Sequence, residues 1–270
     1  MRQSAKRMAL RKIQRPPLSP LRYALSGFSD TVMKVLGIDT STPCGSVGLV
    51  SDSEVISEYL LNTPVTHSER ILSAIHFVVK EAGCAMESLD GLAISLGPGS
   101  FTGLRIGVST VKGLAFALGK PVVGVPTLDG LAAQVSPTPY LICPILDARK
   151  KEVYTAFYRY NQENVLVRLS EYQAVRPEVL TKQVKEKTIF VGNGAGVYAD
   201  ILRTAASPFA LFPPTPLHLL HGSMVAKLGL DLLLKKDVLD PATFSPIYVR
   251  PSEAEIKWQG QQVTLENTPD

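Results

Sequence analysis

The chain has 270 residues, 45% of them hydrophobic and 19% charged, which is enough for one large or two medium domains around a sizeable core. Its formal net charge of +4 misleads. Residues 1–32 hold seven basic side chains (Arg2, Lys6, Arg7, Arg11, Lys12, Arg15, Arg22) against Asp30, and the remainder carries 21 basic and 23 acidic residues, which excludes the basic excess of an autonomous nucleic-acid binder.

The basic leader, with Pro16, Pro17 and Pro20, shows no sustained periodicity and reads as disordered. It is either a leader, with the Arg-rich, acid-poor composition of an organelle transit peptide, or an extension from a start codon upstream of a true start at Met33. No run approaches the ~20 apolar residues of a membrane span. Cys44, Cys84 and Cys143 are widely spaced and form no CxxC pair, which argues against a disulfide framework or thiolate metal site and suits a reducing cytosol.

From Met33, VMKVLGID, SVGLV and VISEYLL read as three strands joined by short turns, an antiparallel meander. The next segment, THSERILSAIHFVVKEAG, is an amphipathic helix. Thr66 and Glu69 have capping-box spacing, Ile71, Leu72, Ile75, Val78 and Val79 share a face, and Gly83 ends it. The strand GLAISL leads into a glycine-bearing helix within 97–118, followed by the strand PVVGV and the short helix TLDGLAAQV. The order is βββαβαβα.

After SPTPY the same order begins again. Strands are expected in YLICPILD, KEVYTAFYRY and NVLVRLSEY, a helix in PEVLTKQVKE, a strand in TIFVGNGAG and a helix in VYADILRTAA. A leucine-rich helix from about His218 to Lys235 closes the series. Each half ends its first strand in an aspartate, Asp39 and Asp147, and places a glycine-rich turn after its fourth, at 97–100 and 192–196. The inferred fold class is α/β, a duplicated βββαβαβα unit in two lobes, resembling the actin-like sugar kinases and Hsp70-type ATPases. The expected boundaries are 33–137 and 138–240 for the lobes, with an extended tail over 241–270.

That resemblance implies a nucleotide cleft between the lobes, where turn aspartates face metal-bound phosphates and glycine turns bring backbone amides to phosphate oxygens. Its residues here are Asp39, Thr40, Ser41, Asp147, Arg149, Gly192 and Gly194. The alternative for both aspartates is a turn residue bonding its own backbone. Gly99, Gly103 and Gly107 recur every fourth residue and share one helix face. Either that face packs on the chain's own sheet or it seats a partner, and periodicity does not choose between them.

The segments LGIDTST (36–42), HSERIL (67–72), GPGSFTGLRIG (97–107), DARKKEVY (147–154) and PIYVRPSEAE (246–255) are similar to the TsaB (YeaZ) family of bacterial tRNA threonylcarbamoyladenosine biosynthesis. The resemblance implies a non-catalytic subunit with no cofactor of its own, ATP, ADP and Mg belonging to the assembled complex. It pairs with TsaD, which transfers the threonylcarbamoyl group, and works with the ATPase TsaE; alone it forms a homodimer. It meets tRNA only through the complex, and it is cytoplasmic, with no membrane association. TsaD carries an HxxxH metal motif in the helix corresponding to the one opening at His67, and here the second position is Ile71. The family's contact lies on the first two helices, which implies an interface of His67, Ile71, Ile75, Gly99, Phe101, Thr102, Gly103, Arg105 and Gly107. A stand-alone actin-like ATPase or kinase is the enzyme alternative. A glycoprotease-type peptidase is a further one, opposed by Ser46 and Ser100 having no identifiable base and by the absence of a GxSxG turn. His76 reads as a packed or partly exposed side chain. His218 and His221 stand three apart with no carboxylate or cysteine near in sequence.

Overall fold

A computed structural model describes residues 32–52, 54–63 and 66–250; the basic leader, and the tail after Arg250, lie outside them. Strands β1 (Lys34–Asp39), β2 (Gly45–Ser51) and β3 (Glu54–Leu61) form the expected antiparallel meander. Helix α1 (His67–Glu81) leads to β4 (Gly91–Ser95), and α2 (Phe101–Leu118) to β5 (Val122–Val125), both strands joining in parallel, with α3 (Thr127–Ala133) after them. The sheet order is β3-β2-β1-β4-β5.

Local chemistry sets the helix ends. Ser100 caps α2 by accepting the Gly103 N–H on its hydroxyl at 3.2 Å, and Gly119 ends it at φ +63°, a left-handed conformation that favours glycine. The expected Thr66–Glu69 capping box does not form, since Thr66 makes no side-chain cap bond and meets Ser68 Oγ instead. The start of α1 is held by the Arg70 guanidinium, which donates to Leu61 O, Pro43 O and Thr63 Oγ1.

The second half repeats the first. Strands β6 (Leu141–Asp147), β7 (Val153–Thr155), β8 (Tyr158–Tyr160), β9 (Leu166–Arg168) and β10 (Gln173–Val175) precede α4 (Pro177–Gln183) and β11 (Thr188–Val191). Helices α5 (Asn193–Val197) and α6 (Ala199–Ala205), strand β12 (Ala210–Leu211) and helix α7 (Gly222–Leu234) complete it. The order β10-β7-β6-β11-β12 matches the first sheet, with β8 and β9 as a side hairpin. This duplication defines the actin-like fold class. Three local expectations are corrected. The strand over 151–160 divides, because β7 pairs with β6 at Ile145–Asp147 while β8 touches β6 at Ile142–Tyr158 and pairs mainly with β9. The matching outer strand is β10 rather than the run at 164–172. The turn at 192–196 is largely the short helix α5.

Helix α7 starts at Gly222, after a tight turn at Thr215–His218. Although it belongs by sequence to the second half, it lies on the first sheet, against β1, β2 and β4. Missing side chains make this possible: a Cβ on Gly37 would lie 2.2 Å from Gly222 O, and one on Gly48 2.2 Å from Ser223 N. The opposite face of the sheet receives α1 and α2 in a core that includes Leu36, Ile38, Val47, Ile71, Ile75, Val78 and Val111. Full burial of each such side chain stabilises by about 1.5–3 kcal/mol. The α7 side continues through α3 into β6 and β8 as one apolar cluster joining the halves, with Tyr158 and Tyr172 both donating to Asp129 Oδ1.

The N-terminus of α7 is tied down by β3. Glu58 accepts the Ser223 N–H at 2.8 Å and pairs with His221 Nδ1 at 2.9 Å. Burial works to raise the Glu58 carboxyl, but the hydrogen bonds from His221 and Ser223 outweigh it and hold the group below its ordinary value. The same bond to Glu58 raises His221 against the effect of burial. The carboxylate absent around His221 in sequence is therefore supplied by β3.

Beyond α7 the chain turns at 240–244, where the Thr243 and Phe244 N–H groups donate to Asp240 O, and otherwise has no regular structure up to Arg250. Leu239 bridges to Val122, Phe244 is buried with the α1–α2 core, and the Ile247 N–H donates to Leu96 O at 2.7 Å. Tyr248 then stacks on Phe101, and Arg250 reaches the second half, pairing with Glu152 at 2.7 Å. Cys44, Cys84 and Cys143 are free thiols, and burial pushes Cys44 up to about 11 and Cys143 to about 12.

Candidate functional site

Two turns, one in each half, are built alike. Asp39 ends β1 and its Oδ1 accepts the Ser41 N–H at 3.0 Å; Asp147 ends β6 and its Oδ1 accepts the Arg149 N–H at 3.0 Å. Gly97 after β4 has φ +103°, and Gly192 after β11 has φ +104°. Both aspartates thus bond their own turn, as short carboxylates do.

Their surroundings differ. Asp39 is fully buried, accepts the Ser95 hydroxyl on Oδ1 and leaves Oδ2 without a partner. Burial raises its carboxyl, opposed by hydrogen bonds from Ser41 and Ser95. Thr40 donates its hydroxyl to Gly103 O at 2.8 Å, and Ser41 O accepts the Ser100 N–H at 2.6 Å. The Asp39–Ser41 turn is committed to α2, and its single open oxygen lies where burial favours the neutral acid. That setting does not fit a metal-bound phosphate, which needs a carboxylate charge facing it. Asp147 is nearer the surface, with the Tyr198 hydroxyl donating at 3.2 Å and Arg149 at 3.6 Å. Gly192 and Gly194 are accounted for by packing on β6: added Cβ atoms would lie 2.4 Å from Ile145 O and 2.6 Å from Ile145 Cγ2. The seven cleft residues therefore gather in two groups, one in each half: the Asp39 turn is buried against α2, and the Asp147 turn leaves Arg149 exposed.

The glycine face of α2 points inward. A Cβ on Gly99 would lie 2.3 Å from Ser41 O, on Gly103 2.1 Å from Thr40 O, and on Gly107 2.3 Å from Thr40 Oγ1. This corrects the expectation that these glycines seat a partner, because what approaches them is the chain's own Asp39 turn. Ile71 and Ile75 are 3% and 2% exposed inside the core. His67 is buried as well, its Nε2 on Thr42 O at 2.7 Å and its Nδ1 3.3 Å from Arg70. Of the expected interface, Thr102 and Arg105 face solvent, and Phe101 is half-buried between Arg105, 3.9 Å over its ring, and Tyr248.

The outward stripe of α2 is Thr102, Arg105, Ser109, Gly113 and Phe116, spaced three or four apart on the side opposite the glycines. Gly113 has open space around it, Phe116 is 91% exposed, and Leu72 of the adjoining α1 is 60% exposed. Sequence reading missed Ser109, Gly113 and Phe116, and placed Leu72 on the inward face of α1; the signal was a third glycine within α2 standing off the Gly99–Gly103–Gly107 register. Among the described residues α2 is the one helix long and apolar enough to cross a membrane, and its inner face is seated on β4 and the Asp39 turn. Ser46 donates its hydroxyl to Leu220 O and Ser100 caps α2, so both serve the fold. No three His, Cys, Asp or Glu side chains come together among the described residues.

The repeated sheets and paired turns define a two-lobed protein of the actin-like class, with a helical layer that is deep on the first half and thin on the second. A family model described as tRNA N6-adenosine threonylcarbamoyltransferase, TsaD, matches residues 61–258. The Bacillus subtilis tRNA threonylcarbamoyladenosine biosynthesis protein TsaB is 32% identical over 229 residues, 84% of this chain and 98% of the relative. Its Escherichia coli counterpart is 34% identical over 63% of this chain and 75% of the relative. The solved structure of YeaZ from Pseudomonas aeruginosa superposes with a TM-score of 0.66 at 27% identity, covering 80% of this chain and 99% of that one. The chain belongs to the TsaB family, also called YeaZ.

Proposed function

We propose that the chain is a non-catalytic, cytoplasmic subunit in the formation of threonylcarbamoyladenosine in tRNA, pairing with TsaD through the outward face of α1 and α2 and working with TsaE. The observation that carries this reading is the commitment of His67 and Ile71. Where TsaD has its metal motif, this chain has one buried imidazole bonded to its own backbone and an isoleucine in the core. A lone imidazole so engaged cannot build a two-histidine metal centre. The catalytic step is therefore assigned to the partner and the binding face to this subunit. The names of the relatives support the pathway, and the exposed stripe supports the mode of pairing: its open glycine admits another backbone, and Phe116 supplies a large apolar anchor.

Gel filtration of the chain mixed with TsaD tests it. Phe116→Asp should abolish the one-to-one species and leave the melting temperature of the chain within about 3 °C of wild type, since an exposed side chain contributes little to the fold. Gly103→Val should instead unfold the chain, because its Cβ meets Thr40 O. Normal pairing by Phe116→Asp would refute the proposed face.

A further inference from the structure

Helix α2 carries two cations, Arg105 and Lys112, and no acid. The chain uses them differently. Lys112 is half-buried and committed to the segment that follows α7, its Nζ donating to Ala242 O at 3.3 Å and standing 4.8 Å from the centre of the Phe244 ring. Arg105 is exposed on the outward stripe, yet it is held twice. Its guanidinium lies 3.9 Å over the Phe101 ring, and its Nε–H donates to the Tyr248 hydroxyl at 3.3 Å. Its Nη groups have no hydrogen-bond partner among the described residues. The result is an ordered guanidinium whose outer N–H fork is open.

The holding group is itself held. Tyr248 stacks on Phe101 with ring centroids 4.9 Å apart, and the Ile247 N–H before it donates to Leu96 O at 2.7 Å. Two residues on, Arg250 pairs with Glu152 at 2.7 Å and donates to Ala148 O at 3.4 Å, which anchors the segment on the hairpin between β6 and β7. Residues 247–250 thus run from the start of α2 to the second half, with Tyr248 fixed between the two anchors. An exposed arginine otherwise samples many rotamers, and that freedom is lost when it binds. Ordering it beforehand lowers the cost of association. We propose that Tyr248, braced by Arg250 and Glu152, is a positioning residue that presents Arg105 to a carboxylate of the protein docking on α2. A planar fork with open Nη groups matches a carboxylate in bidentate geometry, and a stripe with a cation and no acid calls for the opposite charge. The inference rests on the proposed pairing with TsaD and deepens it by naming the chemistry that the partner brings to this end of the helix.

The test is the affinity of the full chain for TsaD, measured by calorimetry for Arg105→Ala, Arg105→Lys, Tyr248→Phe and the double variant Arg105→Ala/Tyr248→Phe. Arg105→Ala should bind at least about tenfold more weakly and melt within about 3 °C of the wild type. Arg105→Lys keeps the charge without the fork and should stay within about threefold of Arg105→Ala. Tyr248→Phe keeps the stack and loses the hydroxyl. It should weaken binding about threefold in the wild-type background and have no effect in Arg105→Ala, because it acts through that side chain. An equal loss in both backgrounds would overturn the positioning role. Wild-type affinity of Arg105→Ala, with pairing still abolished by Phe116→Asp, would overturn the inference and leave the proposed function standing. So would an Arg105→Ala chain that pairs normally while its complex with TsaD binds tRNA more weakly, which would assign the fork to phosphate. If the wild-type chain does not pair with TsaD, the proposed function falls and the carboxylate with it. The Arg105 Nε–H resonance of the chain alone then still decides the positioning role: it should be sharp in the wild type and lost to solvent exchange in Tyr248→Phe, and no difference would overturn that role too.

Discussion

The two halves keep the same sheet order and the same pair of turns, yet they bury them to different depths. In the first, the 15-residue α1 and the 18-residue α2 cover the sheet, and α2 presses on the Asp39 turn through glycines. In the second, helices of seven, five and seven residues stand in their place, and Asp147 stays close to solvent beside Tyr198 and Arg149. Near-identical φ at Gly97 and Gly192 shows that the turn geometry is a property of the strand-to-helix backbone. Its chemistry is set by what packs on top.

The comparison breaks most visibly at its glycines. Gly192→Ala puts a Cβ 2.4 Å from Ile145 O inside the second sheet and should cost about 3 kcal/mol. Gly97→Ala meets Ile247 O and the tip of Leu104 at 2.8 Å, atoms of the segment after α7 and a movable side chain, and should cost about 2 kcal/mol. Urea denaturation with an unchanged m-value measures both. Equal costs would mean that the positive φ alone sets the penalty.

A smaller effect separates the aspartates. Burial raises Asp39 above its ordinary value of 3.8, so its contribution to stability is full below that value and is lost as pH rises through the folded one. Asp39→Asn keeps an oxygen for the Ser41 N–H and removes the loss. It should be more stable than wild type at pH 8 by on the order of 1 kcal/mol, the difference closing toward pH 4. Asp147→Asn should move the melting temperature by less than about 2 °C at either pH. A wild type more stable than Asp39→Asn at pH 8 would show that the buried group is held as a charge.

The smallest expected effect lies at the tie between halves. His221 is raised above its ordinary 6.5, so its share is full below that value and lost as pH rises through the folded one; Glu58 is lowered below 4.5, so its share is present above that value and lost as pH falls through the folded one. Together they stabilise most between about pH 4.5 and 6.5. Glu58→Gln should cost about 1 kcal/mol at pH 6 and less at pH 9. A cost independent of pH would assign the role of Glu58 to the Ser223 N–H alone.

Much of this was legible in the residues. The aspartate turns, the glycine turns and the repeated strand order announce the duplication, because turns need particular residue types. The direction of the glycine face was not legible, since a period of four names a side of α2 and not what lies against it. The break between β7 and β8 is silent because VYTAFYRY has no glycine or proline to mark it. The bond between Arg105 and Tyr248 escaped notice because 143 residues separate them, and the pairing of Glu58 with His221 because 163 do.

Helix α7 closes the face of the first sheet with residues 222–234. On a ribosome, strands β1 to β5 emerge long before the segment that covers them, so Gly37, Gly48 and the apolar side chains on that face wait bare until nearly the whole polypeptide has been made. A gene fragment ending at residue 137 should yield aggregating material rather than a half-sized protein, and splitting this chain for expression is best attempted with residues 222–234 fused back onto the first half.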